Sequence, residues 1–273
     1  MSHVKTRDGT ELYVKDWGTG RPVILMHGWP LSADSWDDQA VAIADGGMRA
    51  IAYDRRGFGR SSQPWSGYDY DTLADDLADV MKACDAKDAA IVGFSMGGGE
   101  VARYLSRHKG AGVKQAALIS SVVPYMLKTA NNPHGTPQAA FDTMAKAMKA
   151  DRAKFFAGFF KDFYGVAEGH KAVSDEVLRW SENLSMLAGL KPTLACAGAF
   201  SSTDFRPDLA AFRVPTLIIH GTADKTVPID ASGRAAAAGI KQSMLVEYDG
   251  APHGLFATHK DRFTKDLLKF LRE

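Results

Sequence analysis

Ala89-Ala90-Ile91-Val92-Gly93-Phe94-Ser95-Met96-Gly97-Gly98-Gly99 is the stretch on which the fold turns. An apolar run of strand length meets a G-x-S-x-G pattern, and the residues after it, Met96 to Arg107, carry helical spacing. That strand-turn-helix context is what the pattern needs if Ser95 is to be a nucleophile raised on a sharp turn. Gly93 and Gly97 leave room for strand and helix to approach, and the helix start supplies backbone donors for an oxyanion. The same glycines also fit Gly93-x-x-x-Gly97-x-Gly99, the phosphate loop of a nicotinamide-dependent reductase. A dinucleotide loop follows the first strand of its fold, whereas this one follows several. No Tyr-x-x-x-Lys pair, the usual reductase proton donor, occurs in the chain.

Moving outward, short apolar runs recur at Pro22 to Met26, Ala50 to Tyr53, Gln115 to Ile119, Thr216 to Ile219 and Met244 to Tyr248. Such runs suit strands covered on both faces. Between them, Thr72 to Ala83 and Thr258 to Leu271 place apolar residues at intervals of a helix. The alternation predicts an α/β protein with a mostly parallel, doubly wound sheet. At the start, Val4 to Thr6 and Glu11 to Asp16 flank Asp8-Gly9 and predict a hairpin. From 124 to 213 the pattern is helical, without a convincing strand, and rich in aromatics and methionine. The expectation is a core of residues 1–123 and 214–273, with a helical lid, 124–213, inserted after the sixth strand. Aromatics of the lid serve its own packing and line an apolar pocket.

The 273 residues suffice for a sizeable core. Lys and Arg number 33 against 32 Asp and Glu, so no net field draws the chain to nucleic acid or an acidic membrane. No segment reaches the ~20 apolar residues needed to span a bilayer, and the opening residues lack the apolar centre of a secretory signal. The two cysteines, Cys84 and Cys196, lie far apart with no ligand-type spacing. The expectations are a cytoplasmic protein with no metal and no cofactor.

A serine hydroxyl needs a base. Of eight histidines, His253 stands in Ala251-Pro252-His253-Gly254, a loop after the last strand, at the sheet edge where ligands bind. His220, His259, His3, His108, His134 and His170 read as structural or surface residues, and His27 as a brace for its loop. The acid belongs between Ser95 and His253 in the chain. Asp224, in the loop after Thr216 to Ile219, fits best; Asp230 and Asp249 are rivals that read as a helix-start and a turn residue. The amide of Met96 supplies one oxyanion donor, and that of Trp29, in His27-Gly28-Trp29-Pro30, the other. Arg55-Arg56 reads as pairing locally with Asp54 rather than as an anion site. A binding protein on a hydrolase scaffold should lack a triad member, and all three are present in order.

With these residues the chain resembles the cofactor-free haloperoxidase, perhydrolase and aryl esterase branch of the α/β hydrolases. The segments that carry the likeness are His27-Gly28-Trp29-Pro30-Leu31, Tyr53-Asp54-Arg55-Arg56-Gly57-Phe58-Gly59-Arg60-Ser61, Gly93-Phe94-Ser95-Met96-Gly97-Gly98-Gly99, Thr203-Asp204-Phe205-Arg206-Pro207 and Ala251-Pro252-His253-Gly254. The resemblance covers essentially the whole chain. It implies the α/β-hydrolase fold with about eight strands, small ester substrates, and hydrogen peroxide as a second acceptor of the acyl group. It also implies apparent haloperoxidase activity without haem or metal, lactam opening in some similar proteins, and a homo-oligomer, either a trimer or a dimer of trimers. Pro30 resembles the perhydrolase-like members, where leucine marks the ordinary esterase. Proline confines its own φ and biases Trp29 toward extended angles, and both effects move a carbonyl beside the oxyanion site. Val122, Phe160, Phe200 and Val227 are expected as pocket walls by resemblance and position.

Overall fold

The computed structural model describes residues 2–167 and 172–273; His170 lies outside them. The chain opens with β1 (His3–Lys5) and β2 (Glu11–Gly18), then β3 (Pro22–Met26), α1 (Asp37–Asp45), β4 (Arg49–Tyr53), α2 (Tyr70–Ala83), β5 (Ala89–Phe94), α3 (Met96–Arg107) and β6 (Val113–Ile119). Three long helices follow: α4 (Gln138–Phe163), α5 (Asp175–Leu187) and α6 (Leu190–Ser202). The chain then returns to the sheet through β7 (Thr216–Gly221), α7 (Gly233–Gly239), β8 (Ser243–Tyr248), α8 (Leu255–Thr258) and α9 (Lys260–Leu271).

Among the described residues, eight strands form one sheet in the order β1-β2-β4-β3-β5-β6-β7-β8. The β1–β2 and β2–β4 pairs are antiparallel and the others parallel. This is the doubly wound sheet that the alternation of elements predicts. β3, β5 and β7 are buried along their whole length, because helices cover both faces. The first two strands pair Val4 with Leu12 across a turn in which Gly9 takes a φ of 88°, a conformation glycine adopts without steric cost.

Helix boundaries depart from the periodicity where capping decides them. α2 begins at Tyr70 rather than Thr72, because the Asp69 carboxylate accepts the Thr72 amide at 2.9 Å and caps the helix. The closing segment is two helices, broken at His259 with φ −125° and ψ 36°. α4 is interrupted at Asp151 (φ −158°, ψ 93°), whose carboxylate accepts the Lys154 amide at 2.9 Å and starts the second half.

The paired arginines do not pair with Asp54. The Arg55 guanidinium meets Glu100 of α3 in an ion pair that is almost wholly buried, and Arg56 reaches Asp76 at 2.6 Å and Asp8 at 2.8 Å. Asp54 instead accepts from Arg60 Nε and the Ala33 amide, each at 2.8 Å. Glu100, Asp76 and Asp8 lie 20 to 48 positions from the arginines they meet, so local reading had no access to them.

β3 is flanked by β4 on one side and β5 on the other. At such a switch point the loops leaving neighbouring strands part and open a crevice beyond their carboxyl ends. The loops after β3 and β5 are the two that carry Trp29 and Ser95.

Candidate active site

Ser95 joins β5 to α3 with φ 53° and ψ −115°, an unfavourable conformation for any residue but glycine. Its amide donates to the Ile119 carbonyl at 2.8 Å, and its carbonyl accepts the Gly98 amide at 3.0 Å. Close packing explains the flanking glycines. A Cβ at Gly93 would collide with the Gly97 carbonyl oxygen, and one at Gly97 would stand 2.5 Å from the Met26 carbonyl oxygen. A serine at the start of a helix ordinarily caps it. Here the side chain makes no capping bond, and its Oγ lies 2.9 Å from His253 Nε2.

His253, between β8 and α8, packs its ring against Phe94 and Phe163 with centroids 5.0 and 4.8 Å away. Its Nδ1 lies 2.6 Å from Asp224 Oδ2. The other carboxylate oxygen of Asp224 accepts the amides of Thr226 and Val227 at 2.9 and 2.8 Å. All three side chains are buried. Burial alone would raise the Asp224 pKa, but attraction to His253 and hydrogen bonds from His220 and His253 outweigh it and hold the carboxyl at about 2. The rivals face elsewhere: Asp230 pairs with Arg234 at 2.8 Å, and Asp249 accepts from the Thr222 hydroxyl at 3.2 Å.

His220 has a closer connection to the site than its place at a strand end suggests. Its Nε2–H donates to the Val227 carbonyl at 2.9 Å and stands 3.3 Å from Asp224 Oδ2. His27 braces its loop: Nε2 accepts the Arg55 amide and Nδ1–H donates to the Gly28 carbonyl, each at 2.9 Å. Burial and the Arg55 charge push its pKa well below the usual imidazole range, so it is neutral.

Met96 is the first residue of α3, so its amide has no intrahelical carbonyl to reach. Trp29 stands in the turn after β3, closed by the Leu31 amide donating to the Gly28 carbonyl at 2.9 Å. The Trp29–Pro30 peptide is cis. Gly28 is required because a Cβ there would stand 2.5 Å from the Phe94 ring. The Trp29 indole donates to the Thr193 carbonyl at 3.0 Å and packs against Phe159 and Phe200.

A small cavity of about 60 Å³ opens on Ser95, walled by Trp29, Val122, Phe159, Phe200 and Val227, among others. Phe160 is not part of it. That ring is fully buried in the stack of Phe156, Phe163 and Tyr164, and its neighbour Phe159 takes the wall position, one residue's rotation around α4. Met126, Phe141, Met144 and Thr226 complete the lining; the first three belong to the aromatic and methionine-rich lid segment, but none was expected individually as a wall. The spacing of Phe141, Met144 and Met148 marks one apolar face of a helix and is the signal that would have found two of them. A larger cleft of about 460 Å³ lies behind the His253 loop and does not include Ser95.

The glycines that mimic a phosphate loop are used for packing. A Cβ at Gly98 would collide with the Ser121 hydroxyl, and one at Gly99 would meet the rings of Tyr70 and Phe205, so the packing of α3 requires both glycines. Among the described residues, no group of three or more His, Cys, Asp or Glu side chains is placed to hold a metal.

Serine, histidine and buried carboxylate in series, at the carboxyl edge of a doubly wound sheet, make this a serine-hydrolase arrangement. The chain belongs to the alpha/beta hydrolase fold family, which it matches over residues 21–260. It is 42% identical to a non-heme chloroperoxidase of Kitasatospora aureofaciens over 270 residues, covering 98% of each chain. It is also 42% identical to a bifunctional esterase/perhydrolase of Acinetobacter calcoaceticus, over the full length of both. The crystal structure of a bromoperoxidase from Bacillus anthracis superposes with a TM-score of 0.95 at 42% identity, covering 99% of each chain.

Proposed function

We propose that this chain hydrolyses small aryl and alkyl esters through an acyl-enzyme on Ser95 and also passes the acyl group to hydrogen peroxide. The observation that carries the reading is the unbroken series Ser95–His253–Asp224 opening on a small apolar cavity. Ser95 Oγ attacks the ester carbonyl while His253 Nε2 takes its proton. The amides of Met96 and Trp29 hold the oxyanion, and His253 returns the proton to the departing alcohol. Water, activated by the same histidine, then releases the acid; hydrogen peroxide in its place releases a peracid. The peracid transfers its terminal oxygen to halide in solution, which gives haloperoxidase activity without a cofactor. The names of the chloroperoxidase and esterase/perhydrolase relatives support the peroxide branch.

The test is peracetic acid formed from a small acetate ester with hydrogen peroxide, beside acetate released without it. Peracid well above the uncatalysed rate supports the reading. Hydrolysis with negligible peracid leaves a plain carboxylesterase or lactamase on the same triad. Replacing Pro30 by leucine is expected to lower the ratio of peracid to acid several-fold, by moving the carbonyl that accepts a hydrogen bond from bound peroxide. An unchanged ratio makes Pro30 a loop residue only.

Three further assignments belong to the same proposal. Residues 124–213 act as a lid on the core of 1–123 and 214–273, supported by the placement of α4–α6 between β6 and β7. The free, buried thiols of Cys84 and Cys196 support a reducing cytoplasm; among the described residues no helix is long and apolar enough to cross a membrane. Assembly as a trimer or dimer of trimers rests on the resemblance, and light scattering reads it directly.

A further inference from the structure

We propose that Met126 and Met144 are oxidised by the peracid formed at Ser95, so that the enzyme's own product modifies its acyl cavity. The inference rests on the peracid-forming reading above. Met126 and Met144 share with Ser95 the lining of a cavity of only about 60 Å³. Met126 is buried, and Met144 half-buried on the inner face of α4. The rest of the wall is aromatic residues, valines and Thr226, so the polarizable thioethers are its softest nucleophiles.

A peracid released from the acyl-enzyme starts its exit in this space, at a local concentration far above that in bulk. A methionine sulfur lone pair attacks the terminal peroxy oxygen and the O–O bond breaks. The peracid proton ends on the carboxylate, giving a carboxylic acid and a methionine sulfoxide. Sulfur loses two electrons and the peracid gains two, with no other reagent. The product side chain is polar and chiral where it had been apolar, in a pocket built for an apolar acyl group. Turnover with peroxide therefore carries a built-in decline in activity.

Surface methionines supply the internal reference. Met186 is 41% exposed and Met244 is 49% exposed, so an oxidant arriving from bulk solution meets these two before the cavity pair. Peptide mass spectrometry after turnover with acetate ester and hydrogen peroxide is expected to show the ~16 Da sulfoxide increment several-fold more on Met126 and Met144 than on Met186 and Met244. The order should reverse with hydrogen peroxide alone, with an equal dose of added peracetic acid, and in Ser95→Ala given ester and peroxide. The double variant Met126→Leu, Met144→Leu keeps apolar volume and should hold its own starting rate through more peracid turnovers than the parent. Peracid is assayed in the same samples. Peracid formed with the same labelling pattern as bulk oxidant overturns this inference alone, whereas no peracid at all overturns it together with the perhydrolase reading.

Discussion

Ser95→Ala is expected to lower kcat on an aryl acetate by on the order of 10⁴–10⁶ while leaving the fold intact. The loss follows from geometry: Oγ is the atom 2.9 Å from His253 Nε2, and with it go the attacking oxygen and the covalent intermediate. The fold survives because the elbow is held by its backbone. The Ser95 amide to Ile119, the Gly98 amide to Ser95 and the Val122 amide to Ser95 at 3.3 Å involve no side-chain atom. Alanine bears the same left-handed φ of 53° at a cost close to that of serine. The melting temperature should thus stay within a few degrees of the parent. Peracid formation and ester hydrolysis should fall together, since both draw on one acyl-enzyme. Near-parental hydrolysis would move the nucleophile elsewhere; loss of hydrolysis with peracid retained would take the peroxide reaction off Ser95.

The parts of this protein that sequence made legible are those encoded locally. The strand-turn-helix around Ser95, the loop positions of Asp224 and His253, and the order of strands and helices all lie within short windows where apolar period and turn residues decide the outcome. What escaped depends on contacts between distant segments. Phe160 rather than Phe159 was expected in the pocket because the phase of a helix is fixed by what it packs on, and α4 restarts at Asp151. The partner of Arg55 is Glu100, 45 positions away, and the two meet only when α3 docks on the sheet. His220 is the local exception: it stands four positions before Asp224, yet it read as a strand terminus because residue types alone do not give the path by which the loop after β7 folds back on it. Pattern locates the chemistry, and packing decides which neighbours tune it.

Asp224→Asn should lower kcat by on the order of 10⁴, nearly as much as loss of the nucleophile, although it removes no reacting atom. Asp224 Oδ1 accepts the amides of Thr226 and Val227 at 2.9 and 2.8 Å. In the asparagine variant that position must remain a carbonyl oxygen, because an amino group there would oppose two N–H donors. The NH₂ is therefore driven to the place of Oδ2, 2.6 Å from His253 Nδ1. A donor there selects the tautomer with a bare Nδ1 and a protonated Nε2, which cannot accept the Ser95 proton. The same NH₂ would face the Nε2–H of His220, already fixed as a donor by the Val227 carbonyl, so the loop has no relaxed alternative. Acid stability should change in parallel. With the folded carboxyl held at about 2, below the ~3.9 of an unperturbed aspartate, the parent has this contribution in full above about pH 4. It loses it as pH falls toward 2, and the asparagine variant should lack that dependence. Asp230→Asn and Asp249→Asn, whose carboxylates pair with Arg234 and Thr222, should leave kcat near the parent's. If either of these proves the damaging change and Asp224→Asn the harmless one, the acid of the site is not Asp224, and its two backbone amides serve only to close a loop.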